Sequence, residues 1–224
     1  MIVIKKDFVP EDTESYCNKR VLSSGKAYFL QDNFGNIHYA GKQCAEQYSN
    51  TNLSLIPDLT KSLISNREGS HSSGGSSIGG GKSLDNSESV AITYILLREE
   101  KLNEYQFEGK SLSYSVLKSY YDKYKIDKKL EVKDIQHILN IEKKAPISLS
   151  LNNLSTCYAY EFILERTLNY LRINNKEKGV LFVDGLIGYL KKNCKLSIKQ
   201  IEGLKNWLQY LPQDLRESKL KSFN

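Results

Sequence analysis

The feature that most constrains the fold is a stretch rich in Gly and Ser in the first half of the chain. Residues 65–89 read SNREGSHSSGGSSIGGGKSLDNSES. Such a segment has too few apolar side chains to form a core, and it is typical of a flexible linker. It therefore predicts a small module at residues 1–64, a linker at 65–85 and a helical domain at 86–224.

The composition favours a soluble intracellular protein. Hydrophobic residues make up 40 % of the 224-residue chain, enough for a real core. No apolar run approaches the roughly 20 residues that a membrane-spanning helix needs, and the N-terminus lacks the apolar region of a secretory signal. The four cysteines are widely spaced and form no disulfide framework. We expect a cytoplasmic protein, in the host cytoplasm if it is phage-encoded, with no membrane partner.

The N-terminal module has the alternation of a β-hairpin followed by a helix. The segments AYFLQD and NIHYAG flank a turn-forming Asn-Phe-Gly at 33–35. Tyr28, Leu30, Ile37 and Tyr39 are the candidate strand residues, and KQCAEQYSN then changes to a helical composition.

Two cysteines frame this hairpin in the manner of a zinc module. Cys17 lies in the loop before it and Cys44 in the helix after it. Structural zinc sites almost always use four ligands. Here Arg20 and Tyr48 stand where the second ligand of each pair is expected.

Residues 15–48 resemble treble-clef or zinc-ribbon modules of phage and bacterial nucleic-acid proteins, through Cys17, the hairpin, Gly41 and Cys44. The sequence predicts a scaffold of this shape without metal or other cofactor. If zinc is bound, Cys17, His38 and Cys44 are its candidate ligands. A structural zinc with a fourth ligand elsewhere, a catalytic zinc with an open position, and a Cys17–Cys44 disulfide remain the alternatives.

The C-terminal module has a helical pattern and carries all the excess charge. Residues 111–224 contain 20 Lys and Arg against 12 Asp and Glu, a net charge of +8. Ser197 and Gln200 have the spacing of a capping box before a new helix. The apolar stripe of that helix comprises Ile198, Ile201, Leu204, Trp207, Leu208 and Leu211. The fold class predicted for the whole chain is α+β.

Two basic segments are the candidate nucleic-acid-binding sites. In the first, tyrosines interleave with lysines, a pattern that can stack bases while contacting phosphates. The same pattern is typical of a protein interface or of a half-buried helix. The residues are Lys118, Tyr121, Lys123, Tyr124 and Lys125.

The second segment has the proportions of a helix-turn-helix, with helix-bundle packing as the alternative. It also resembles a helical element of phage replication and DNA-processing proteins, through Leu196, Ser197 and Gln200. Its candidate binding residues are Lys191, Lys192, Lys195, Lys199, Gln200 and Lys205.

No arrangement of residues indicates an enzyme. GGGKS at 79–83 lacks the first glycine of a phosphate-binding loop, because position 76 is serine. His71 lies in the predicted linker, and Asp134 with His137 is typical of a helix surface. The sequence predicts a non-enzymatic protein that binds DNA or RNA or assists in its processing. The alternative is a protein-interaction module, an adaptor or an inhibitor of a host or defence complex.

Overall fold

The computed structural model describes residues 1–64 and 84–223, and its fold is α+β as predicted. Most of the predicted linker lies outside these residues. The helix that follows begins at Leu84, two residues before the predicted domain boundary. Within the described residues no helix has the length and apolar character needed to cross a bilayer.

The N-terminal part is a three-stranded antiparallel sheet followed by a short helix. Strands β1 (Ile2–Phe8), β2 (Lys26–Gln31) and β3 (Ile37–Ala40) pair in that order. Strands β2 and β3 form the predicted hairpin, with Leu30 opposite His38. Its turn needs a left-handed residue, which Gly35 supplies with φ 87°. Helix α1 (Lys42–Tyr48) follows directly.

The remainder is predominantly helical, with two minor sheets. Strand β4 (Leu63–Ile64) pairs with β7 (Lys219–Leu220), and β5 (Gln106–Phe107) pairs with β6 (Lys110–Ser111). The helices are α2 (Leu84–Leu96, continued by a π-helical turn at Leu97–Lys101), α3 (Ser115–Asp127), α4 (Val132–Lys144), α5 (Leu151–Ile173), α6 (Glu177–Asn193), α7 (Ile198–Leu208) and α8 (Gln213–Arg216).

Helix α5 is the centre of the bundle. It is 23 residues long, and Ser150 caps its N-terminus by accepting a hydrogen bond from the Asn153 N–H. Buried residues lie on all of its sides, as expected for a helix surrounded by other elements. Strand β1, the π-helical turn that continues α2, and α6 all contact it.

The N-terminal sheet packs directly against this bundle. The rings of Phe8 on β1 and Phe162 on α5 stack with centroids 4.1 Å apart. The Arg166 guanidinium donates a 2.7 Å hydrogen bond to the Val9 carbonyl. Leu59 is buried in the main helical core. The two predicted modules therefore share buried surface, and their division at residue 64 stays a prediction.

Helices α6 and α7 pack antiparallel, because two pairs of residues meet far from the turn that joins them. A methyl group placed on Gly179 would lie 2.7 Å from the Trp207 ring, and one on Gly203 would lie 2.8 Å from the Phe182 ring. Gly179 is roughly 20 Å from the end of α6 that faces the turn. In a DNA-binding helix-turn-helix the two helices cross at about 90–120°. At that angle they would be too far apart at this distance from the turn for Gly179 to meet Trp207. The segment is a helical hairpin, and these contacts favour the helix-bundle alternative over a helix-turn-helix.

Candidate functional site

Helix α3 carries the first predicted nucleic-acid segment, but its central tyrosine is buried. Tyr121 is 6 % exposed, and its hydroxyl donates a 3.1 Å hydrogen bond to Glu100. Burial and the Glu100 charge raise its pKa to about 12. Lys118 and Lys125 lie over its ring, 5.0 and 5.4 Å from the centroid. The ring is therefore not open to a stacked base.

The other residues of this segment are also occupied. Tyr124 is half-buried and packs against the main core. Lys123 donates to Asp134 at 2.7 Å and to Glu131 at 2.9 Å, contacts that raise its pKa. Lys118 pairs with Asp122 at 3.0 Å. Helix α3 thus shows the half-buried pattern, and most of its predicted charge is already balanced.

The predicted lysines of the α6–α7 hairpin, unlike Lys118 and Lys123 of α3, are mostly unpaired within the described residues. Four of its predicted lysines are exposed and have no carboxylate within 4.0 Å anywhere in residues 1–64 or 84–223. We call this set the basic tip: Lys192, Lys195 and Lys199 lie near the turn, and Lys205 lies in the last turn of α7.

The remaining two predicted residues of this segment have structural partners. The Gln200 side chain accepts a 2.8 Å hydrogen bond from the Ser197 N–H, while Ser197 Oγ accepts one from the Gln200 N–H at 3.3 Å. The predicted capping box is therefore present. Lys191 turns away from the tip and contacts Glu104 at 2.6 Å and Glu161 at 3.5 Å.

Lys191 lines a charged cleft that sequence reasoning missed. The cleft has a volume of about 530 Å³ and lies between the end of β1 and one face of α5. Glu161, on its wall, is 9 % exposed. Burial and the neighbouring Glu165 raise its pKa to about 7, and Lys191 opposes this only in part. The only sequence signal was an acidic residue within the apolar run YAYEFIL.

A buried carboxylate lies next to the cleft, on β1. Asp7 is 1 % exposed and accepts contacts from Lys101 at 2.8 Å and Lys5 at 2.9 Å. Burial would raise its pKa, but the two lysines outweigh burial and lower it. This network joins β1 to the helical bundle and leaves Asp7 without a free acceptor for a ligand.

The predicted metal ligands separate into two places. Cys17 and Cys44 line one cavity of about 740 Å³, and their thiols interact, which lowers the pKa of Cys17. His38 instead contacts Asp32 Oδ2 at 3.2 Å, with its ring against Tyr16. Within the described residues, no three His, Cys, Asp or Glu side chains are arranged to hold a metal ion.

Comparison with known proteins returns no match to a family model, to a curated protein or to a solved structure. The described residues form an α+β protein with a basic tip, a charged cleft and a cysteine cavity.

Proposed function

We propose that this protein binds nucleic acid without catalysing a reaction on it, and that the basic tip is the contact surface. The observation that carries the proposal is the set of four exposed lysines with no carboxylate partner in the described residues. Lysines already paired within the protein gain little from a phosphate, whereas unpaired ones release counterions from the nucleic acid when they bind.

The contacts are to phosphates, and they carry little sequence information. Helix α7 lies antiparallel to α6, so it does not project as a recognition helix. Gln200, the residue suited to reading adenine, is held in its capping box. Phosphate contacts position a protein on nucleic acid without specifying a base. We therefore propose binding that is tolerant of sequence.

The N-terminal module is consistent with the treble-clef likeness. Its first loop closes through the Lys19 N–H to the Ser15 carbonyl at 2.9 Å, with Lys19 in the left-handed region at φ 54°. The hairpin and α1 follow in the expected order. We propose that residues 15–48 have a treble-clef shape. Cys17 and Cys44 then stand at two of the positions where such modules carry metal ligands.

The test is a titration of labelled single- and double-stranded oligonucleotides at about 50 and about 200 mM salt. We expect affinity to fall with a log–log slope of roughly −3 for four phosphate contacts. A triple variant with Gln at Lys192, Lys195 and Lys199 should bind more weakly at low salt, and its slope should be shallower by about 2 to 3.

The matched control removes three lysines that already have carboxylate partners, Lys42, Lys118 and Lys133. It changes the net charge by the same amount, so an equal loss of affinity in both variants would mean that only total charge matters. Absence of binding by the wild type at low salt would overturn the proposal.

A protein-interaction module is the second candidate, favoured by exposed apolar side chains on the same hairpin. Leu181 on α6 is 76 % exposed and Ile198 on α7 is 77 % exposed. Isolated apolar residues are common on surfaces, but protein interfaces use them. A complex that persists at moderate salt, weakens in Leu181→Ser and Ile198→Ser, and is unaffected by the lysine variants would favour this candidate.

A further inference from the structure

Cys17 and Cys44 differ sharply in their access to solvent although they share one cavity. Cys17 is exposed, whereas Cys44 is 4 % exposed in the first turn of α1. Both thiols line this cavity together with Ser15, whose Oγ lies 3.6 Å from Cys17 Sγ. An outer and an inner thiol are thus held together at one site.

The surrounding contacts keep the two thiols in place. The Tyr16 N–H donates a 2.7 Å hydrogen bond to the Tyr39 carbonyl, which ties the first loop to β3. The Tyr16 ring meets the Tyr48 ring edge-on at 5.4 Å, which ties the same loop to α1. The loop that carries Cys17 is therefore attached on both sides to the elements that position Cys44.

We propose that Cys17 and Cys44 form a peroxide-reactive dithiol, with Cys17 as the thiol that is oxidised first and Cys44 as the resolving thiol. Redox-responsive cysteines are typically accessible and stand next to a partner thiol. The shared cavity is open to solvent on the Cys17 side, so peroxide can reach the outer thiol.

Hydrogen peroxide is the oxidant that converts the two thiols to a disulfide. The Cys17 thiolate attacks one peroxide oxygen, the O–O bond breaks, and a sulfenic acid forms while hydroxide leaves and takes up a proton. The Cys44 sulfur then attacks the Cys17 sulfur. An S–S bond forms, the S–O bond breaks, and the Cys44 proton leaves with the hydroxide as water. Two thiols are oxidised, one peroxide is reduced, and two waters form.

The other two cysteines provide an internal comparison. Cys157 and Cys194 also interact, but both are fully buried in the bundle. Their thiols donate to the carbonyls of Cys194 and Gln106 at 3.2 and 3.3 Å, respectively. Peroxide has no access to them in the folded protein, so this pair should remain reduced under the same treatment.

The experiment treats the full-length folded protein with a small excess of hydrogen peroxide and follows it by intact mass and peptide mapping. We expect a loss of about 2 Da and a cross-linked peptide pair joining Cys17 to Cys44, restored by dithiothreitol. In Cys44→Ser, Cys17 should instead gain about 32 Da as sulfinic acid. In Cys17→Ser, Cys44 should remain unmodified because it is buried.

The wild-type map decides the proposal even if a variant folds poorly. Over-oxidation of Cys17 with no cross-link, or a cross-link between Cys157 and Cys194 in its place, would overturn it. A metal ion that is bound in native mass spectra and lost in either serine variant would also overturn it, because the thiols would then be ligands. Loss of nucleic-acid binding in the basic-tip tests would leave this chemistry unaffected.

Discussion

The Tyr158 hydroxyl on α5 donates a 2.9 Å hydrogen bond to Asp7 Oδ1 on β1, across 151 positions of sequence. The second oxygen of Asp7 contacts Lys5 and Lys101. One buried carboxylate therefore joins the N-terminal sheet to the centre of the helical bundle, and the two parts of the chain should lose stability together when it is removed.

Replacing Asp7 with Asn should lower the free energy of unfolding by about 2 kcal/mol, because Lys101 loses its buried carboxylate partner and keeps only Glu100 at 3.1 Å. The pKa of Asp7 is lowered in the folded state. Its contribution is therefore present above the ordinary Asp pKa of about 3.9 and is lost as the pH falls below it. Urea unfolding at neutral and acidic pH measures both effects.

Two variants control this prediction. Tyr158→Phe removes one hydrogen bond and should cost about 1 kcal/mol. Glu46→Gln, on the exposed surface of α1, should change stability by less than about 0.5 kcal/mol. If Asp7→Asn were no more damaging than Glu46→Gln, the carboxylate would not be joining the two parts.

Glu161 should give the protein an opposite pH dependence near neutrality. Its pKa is raised to about 7 in the folded state, mainly by burial. The folded protein therefore holds a proton that the unfolded chain releases from about pH 4.5 upward, and stability falls as the pH rises towards 7, by up to about 3 kcal/mol. Glu161→Gln should remove this slope and be the more stable protein at pH 8, as thermal unfolding across pH 5–8 would show.

Glu165 is the matched control for that titration. It is exposed and raises the pKa of Glu161 through its charge. Glu165→Gln should therefore shift the stability transition to lower pH without abolishing it. Identical pH profiles for the wild type and Glu161→Gln would show that Glu161 does not titrate in this range.

The close approach of α6 and α7 should make one glycine intolerant of a side chain. Gly179→Ala places a methyl group 2.7 Å from the Trp207 ring and 3.0 Å from Leu171, so it should destabilise the protein by about 1–3 kcal/mol. Trp207 is the chain's one tryptophan, and its fluorescence should shift as the hairpin is displaced.

Gly188 on the same helix is the control, because a methyl group there meets nothing within 4 Å. Gly188→Ala should stabilise the protein by about 0.5–1 kcal/mol through helix propensity alone. Equal effects of the two substitutions would contradict the antiparallel packing of the hairpin.

Local contacts were the part of the fold that sequence could predict. The hairpin around Gly35 and the capping box of Ser197 and Gln200 join residues only a few positions apart, and short-range patterns encode them. The alternation of Tyr and Lys in α3 was equally visible. Which face of α3 is buried depends on Glu100 and the helical core, so the burial of Tyr121 could not be read from its own segment.

The candidate sites depended on contacts that no local pattern encodes. The orientation of α7 follows from Gly179 meeting Trp207 and Gly203 meeting Phe182, pairs of residues about 20 or more positions apart. The charged cleft needs Lys191 to cross to Glu161. Sequence identified the lysines of the hairpin, but only the structure separates the paired Lys191 from those of the basic tip.

The last prediction separates the structural residues of the α7 N-terminus from its binding residues. Ser197→Ala should lower the free energy of unfolding by about 1 kcal/mol, because the Gln200 N–H loses its side-chain acceptor. It should leave the affinity for DNA unchanged under conditions in which the protein is fully folded. Lys199→Gln, two residues along, should show the reverse pattern, because its side chain is exposed and has no carboxylate partner among the described residues. Urea unfolding and oligonucleotide titration of both variants measure this contrast. If Ser197→Ala weakened binding as much as Lys199→Gln, the capping box itself would belong to the contact surface.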